Sequence, residues 1–159
     1  MKDVLGKAIG LLKQPAPGNP VGIALGNRET VTNTMMEFAV RQAHKDINFH
    51  FEAASRAGDF IQLATKPETR LALFIPSGNI DPDPDSPAAT LEEETVRIIK
   101  TIKAKQPIPL IVIAVQHYSR ETLLAAGADV FLDILARPEE IVDAVAKCLG
   151  LEPKKIVPA

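Results

Sequence analysis

Residues 108–150 read IPLIVIAVQHYSRETLLAAGADVFLDILARPEEIVDAVAKCLG, and the alternation of apolar runs and stops in them decides the fold. Residues 110–115 form an apolar run behind two prolines, and with apolar residues on both faces they predict a strand in the middle of a parallel sheet. Ser119 is placed to cap a short helix over 120–126. Gly127 falls where a left-handed residue ends it. Residues 130–135 predict a second buried strand. Pro138 suits the first turn of a helix that carries Ile141, Val142, Val145 and Leu149 on one stripe, and Gly150 stops it. Strand, helix, strand, helix is the ending of an open α/β sheet.

Upstream, the same alternation repeats. Residues 21–25 are a short apolar strand, and residues 29–44 a helix with Val31, Met35, Phe38, Ala39 and Gln42 marking the expected inner side, its methionines read as core filler. Residues 47–54 alternate apolar and polar, which suits an edge strand and leaves His50 on the polar face. Ser55 is the expected cap of a helix through Thr65, with Phe60, Ile61 and Ala64 inward. Residues 71–75 are a third buried strand. Residues 76–87, PSGNIDPDPDSP, predict an extended surface loop, because proline disfavours both helix and ladder. Its Asp81, Asp83 and Asp85 are expected to be solvated rather than to converge on a metal, since near polyproline II residues two apart point in different directions. Thr90 with Glu93 makes a capping box for a helix whose inner residues are Leu91, Thr95, Ile98, Ile99 and Ile102. The count is five strands and five helices, a three-layer α/β/α arrangement.

The 159 residues fit one domain over 20–150, preceded by a helix and linker at 1–19 and followed by a tail at 151–159. Residues 1–13 have Val4, Leu5, Ala8, Ile9, Leu11 and Leu12 on one side. The following QPAPGNP cannot continue a helix. That apolar side suits either packing on its own domain or docking to a partner, and the expectation is a homodimer contact through Val4, Ile9 and Leu12. A net charge of −2 implies no nucleic-acid-binding patch. No apolar run reaches membrane-spanning length. The single cysteine, Cys148, excludes an internal disulfide framework and fits a cytoplasmic protein.

Residues 109–114, 126–129 (Ala-Gly-Ala-Asp), 131–132 and 138–141 (Pro-Glu-Glu-Ile) resemble the last third of a response-regulator receiver (CheY-like) domain, and the resemblance extends over about 20–150. It implies a five-stranded parallel sheet in the flavodoxin-like order 2-1-3-4-5. It also implies the places where phosphotransfer chemistry would sit. The acidic, magnesium-holding pair falls at Leu25 and Gly26, or at Gly26 and Asn27. The phospho-acceptor falls at Ile75 or Pro76, the hydroxyl residue at Ala114, and the Lys-Pro pair at Ile134 and Leu135. Asp133 is one residue early and turns to the opposite face. The chain is thus expected to be a degenerate receiver that binds another protein, with no enzymatic activity and no cofactor. The resemblance places output contacts on the face of Arg120, Glu121, Arg137, Glu140 and Lys147.

The alternative is a small-molecule or anion site at the carboxyl ends of the strands, where Asn27, Arg28, Ser77, Asn79, Gln116, His117 and Tyr118 collect. Gly22, Gly26 and Gly78 are isolated and make no phosphate-binding fingerprint. Ser77 and His117 lack the Gly-x-Ser-x-Gly elbow of a hydrolase. A cobalamin loop would need a histidine after the first strand, and residues 25–31, LGNRETV, have none.

Overall fold

The computed structural model describes residues 20–76, 80–115 and 118–151. Five strands alternate with five helices: β1 (Val21–Gly26), α1 (Thr30–Ala43), β2 (Phe49–Ala54), α2 (Ala57–Ala64), β3 (Thr69–Phe74), α3 (Leu91–Lys105), β4 (Leu110–Ala114), α4 (Arg120–Ala126), β5 (Val130–Asp133) and α5 (Pro138–Leu149). All strand pairs are parallel and the order is β2-β1-β3-β4-β5. This is the flavodoxin-like receiver order expected from the resemblance.

Pleat alternation divides the core between two layers. Val21, Ile23, Leu25, Leu71, Leu73, Ile111 and Ile113 face α1 and α5, where Met36, Val40, Val142 and Val145 meet them. Ala24, Ala72, Phe74, Leu110 and Val112 face α2, α3 and α4, where Phe60, Ile98, Ile99 and Leu123 fill the space. The two alanines leave room on that face for Phe60 and Phe74, whose rings lie 5.0 Å apart. β2 is an edge strand, as its alternation predicts, and His50 is exposed on it.

The local punctuation works as expected in most places. Thr90 accepts a hydrogen bond from the Glu93 amide, and Glu93 accepts one in return from the Ala89 amide. Ser119 caps α4 through the Thr122 amide, Gly127 ends it at a φ of 126°, and α5 begins at Pro138 and stops at Gly150. Asp129 of the Ala-Gly-Ala-Asp run has a structural task. Its carboxylate accepts from the Leu110 amide and from Lys103, joining the start of β4 to the end of α3.

Other expectations fail. α1 turns Asn33, Met36 and Val40 inward, while Val31, Met35, Phe38 and Gln42 are exposed and only Ala39 keeps part of its assigned burial. Met35 is therefore not core filler, although Met36 is. Ser55 caps nothing; α2 starts two residues later, after Arg56. Leu91 is 52% exposed because it sits at the first helical position, at the outer end of the stripe of Thr95, Ile98 and Ile102. β5 stops at Asp133, whose carboxylate accepts from the Leu135 amide and turns the chain, so Ile134 and Leu135 leave the sheet.

Ile98 and Leu91 lie on the same helix with opposite burial. Ile98→Ala should lower unfolding free energy by about 3 kcal/mol, whereas Leu91→Ala should stay within about 0.5 kcal/mol, as read by chemical denaturation of both variants.

Candidate functional site

Ligands of open α/β sheets bind beyond the carboxyl ends of the strands, where the strand order reverses. Here that place lies between β1 and β3. β1 ends in Leu25, Gly26 and Asn27. Leu25 is 2% exposed within the core, and a Cβ at Gly26 would sit 2.9 Å from the Phe60 ring. β3 leads into Ile75 and Pro76, both buried, with the Ile75 amide donating to the Gly26 carbonyl. β4 ends in the fully buried Ala114. The receiver-like positions thus hold apolar groups, glycine or amide. A magnesium ion needs oxygen ligands, chiefly carboxylates, and these residues do not fit one. Among the described residues, no group of three or more His, Cys, Asp or Glu side chains converges on a metal position.

Asn27 is committed to structure. Its Nδ2 donates to Asn33 Oδ1 at 3.0 Å, and Asn33 Nδ2 donates back to the Asn27 carbonyl at 3.0 Å. Its Oδ1 accepts from the Glu29 amide at 3.3 Å. The paired amides clasp the end of β1 to the first turn of α1, and burial is tolerable because the polar atoms find partners. Arg28 is half exposed and forms an ion pair with Asp81, which is a weak contributor at such exposure.

The proline-rich loop corrects the sequence reading further. It is not a solvated strap without anchors. Ile80 is 6% exposed and joins the core that holds Phe60 and Phe74. Asp81 makes a parallel bridge to Arg56, with its amide donating to the Ser55 carbonyl and its carbonyl accepting from the Ala57 amide. Asp83 pairs with Arg97 at 2.7 Å, and Arg97 pairs with the buried Glu94 of α3. Glu94 also accepts from Ser86 Oγ at 2.6 Å and from the Asp83 amide at 3.2 Å. Burial pushes the Glu94 carboxyl up, but the hydrogen bonds from Arg97 and Ser86 outweigh it and hold the pKa below the ordinary 4.5. Of the three aspartates, only Asp85 has none of these ties.

Of the expected ligand edge, Asn27 and Arg28 adjoin an open groove of about 330 Å³ that Thr30, Asn33, Thr34 and Ser55 also line. Ser77, Asn79, Gln116 and His117 lie outside the described residues, as do Val4, Ile9 and Leu12. Tyr118 is buried at 3% exposure, which raises its hydroxyl pKa, and it is withdrawn from that edge. Arg120, Glu121, Arg137, Glu140 and Lys147 are all exposed along α4 and α5. Sequence reasoning missed the apolar surface beside them. Ile134 and Leu135 are 39% and 84% exposed, and a groove of about 210 Å³ opens between α1 and α5 over Met36, Ile75, Ile113 and Ile141.

No protein-family model matches the sequence, and comparison with curated proteins finds no match. Solved structures match in fold. A putative response regulator from Chloroflexus aurantiacus is 16% identical, with a TM-score of 0.63 over 83% of this chain and 99% of that one. The receiver domain of a sensor histidine kinase from Pseudomonas aeruginosa, which has magnesium coordinated in its active-site cleft, is 15% identical, with a TM-score of 0.61 and the same coverage. A putative pilus assembly-related protein from Burkholderia pseudomallei is 12% identical, with a TM-score of 0.60 over 84% of this chain and 94% of that one. The chain has a receiver fold.

The clasp and the loop anchor are separately testable. Asn27→Ala leaves Asn33 short of a buried partner and should cost about 1–3 kcal/mol. A denaturation midpoint equal to that of the unaltered protein would mean the clasp is idle. The stability contributed by Glu94 is fully present above its unfolded pKa, and it is lost as pH falls through its lowered folded value. Glu94→Gln should therefore flatten the acid side of the stability profile below about pH 4.5. Identical acid limbs for Glu94→Gln and the unaltered chain would show that the network carries no linkage.

Proposed function

We propose that this chain is a receiver-fold interaction module of a signalling system and that it does not take part in phosphotransfer. The observation carrying this reading is the set of residues at the strand ends: Leu25, Gly26, Asn27, Ile75, Pro76 and Ala114 offer neither metal ligands nor a carboxylate nucleophile. Phosphoryl transfer depends on charge neutralisation by metal and cation at the reacting group, and an apolar strand end has no substitute for it. The receiver domains among the structural neighbours support the signalling setting.

The partner is another protein, met on the face of α4, β5 and α5. There Arg120, Glu121, Arg137, Glu140 and Lys147 are exposed, as are Ile134 and Leu135. Exposed apolar residues on a face that also carries charges of both signs suit a protein interface. A net charge of −2 argues against nucleic acid as the partner. The chain acts without enzymatic activity. A second reading has one observation in its favour. The groove by Asn27 and Arg28 is as large as the smaller ligand sites and is lined by hydroxyls and amides.

Incubation with acetyl phosphate and magnesium should leave the intact mass unchanged, and magnesium alone should not move the melting temperature. A gain of one phosphoryl group on any aspartate would overturn the proposal. Binding of a co-purified partner should fall at least tenfold in Leu135→Asp. A small polar metabolite that raises the melting temperature, with the rise lost in Arg28→Ala, would favour the groove instead.

A further inference from the structure

Val31, Met35 and Phe38 are 67%, 60% and 64% exposed. They recur at the spacing of one helical face, and nothing within the described residues packs over them. Beside this stripe the apolar groove of α1 and α5 takes in Met35 and Met36 from α1 and Ile134 and Ile141 from the other bank. Contiguous bare apolar surface of this kind marks a site that something covers.

The chain itself contains a segment with matching features. Residues 1–13 lie outside the described residues, and their sequence places Val4, Ala8 and Leu11, with Leu5, Ile9 and Leu12 alongside, at steps of four and three. Val31, Met35 and Phe38 follow the same steps. Thirteen helical residues would be about 20 Å long, close to the length of α1. The reach also fits. Residue 20 leads into β1 at its amino end, and α1 starts beyond the carboxyl end of β1 and runs back toward that amino end. The six residues of β1 rise about 20 Å, and the seven residues 14–20 span about 22 Å when extended. A helix over 1–13 would then have its carboxyl end within reach of the later turns of α1. Charge agrees as well: Lys2, Lys7 and Lys13 outnumber Asp3, while the first two turns of α5 expose Glu139, Glu140 and Asp143.

We propose that residues 1–13 form an amphipathic helix that covers the α1–α5 groove of its own chain. A short tether gives an effective concentration in the millimolar range, so the segment of the same chain outcompetes that of a second copy in dilute solution. The groove shares Ile134 with the partner-binding face described above, but its cover needs no partner to be tested.

Disulfide trapping distinguishes the outcomes. In a Cys148→Ser background, Ile9→Cys with Met35→Cys should close a disulfide within the monomer under mild oxidation at micromolar protein, and Lys7→Cys with Met35→Cys should close far less. A disulfide-linked dimer would overturn the own-chain assignment in favour of a swapped pair. Trapping no greater than in the Lys7 control would overturn the docking altogether. Leu5→Asp, Ile9→Asp and Leu12→Asp combined in the otherwise natural chain should raise the fluorescence of an apolar-surface dye several-fold while the protein still melts cooperatively. Unchanged dye binding would show that the stripe is bare in the natural chain. Loss of cooperative melting would show that these residues belong to the core and are not a cover.

Discussion

A parallel sheet covered by helices on both faces has to be apolar along its middle strands, and here β1 and β4 are buried at every position. The requirement reaches the strand ends. Leu25 and Ile75 are 2% exposed and Ala114 is fully buried, in places where the resemblance puts charge and hydroxyl. A carboxylate there would have to be desolvated, at a cost of several kcal/mol unless paired. At residue 26 the objection is steric as well, because the Phe60 ring occupies the space of a side chain. Among the described residues, the core thus reaches the carboxyl ends of β1, β3 and β4.

Several of the described polar groups near the strand ends are bound into the fold. Asn27 and Asn33 satisfy each other across the turn from β1 to α1. Asp133 turns the chain out of β5, and Asp129 fastens β4 to α3. Glu94 looks like part of a solvated acidic first turn, yet it is the hub on which Ser86, the Asp83 amide and Arg97 meet.

Much of the fold was legible in the sequence because burial on two faces leaves apolar runs between reliable stops. The runs at 110–115 and 21–25, Thr90 with Glu93, Ser119, Pro138 and Gly150 each carry their own local physics. What was illegible depended on tertiary choice. α1 has one apolar stripe at Val31, Met35 and Phe38 and another at Met36 and Val40, and the periodicity alone favoured the wrong one. The stripe that is buried includes Asn33, whose burial makes sense only once Asn27 supplies its partner. In the proline loop a single apolar residue, Ile80, sets the anchor, and one residue makes no pattern. The pairing of Asp83 with Arg97 spans 14 residues and leaves no trace in local spacing.

The two sides of the sheet's carboxyl edge are closed by different means, and this explains where the exposed apolar residues fall. On the side of α2 and α3, residues 80–86 cross the edge, bury Ile80 and are held by the Arg97–Glu94 network. No large apolar residue of α2 is left bare there. On the side of α1 and α5, nothing within the described residues plays that part. Asn27 and Asn33 fasten the first turn of α1 to the sheet, but the turn after β5 throws Ile134 and Leu135 outward, and the second apolar stripe of α1 faces away from the core. A helix with two apolar stripes cannot bury both against one sheet. The second stripe is left exposed within the described residues.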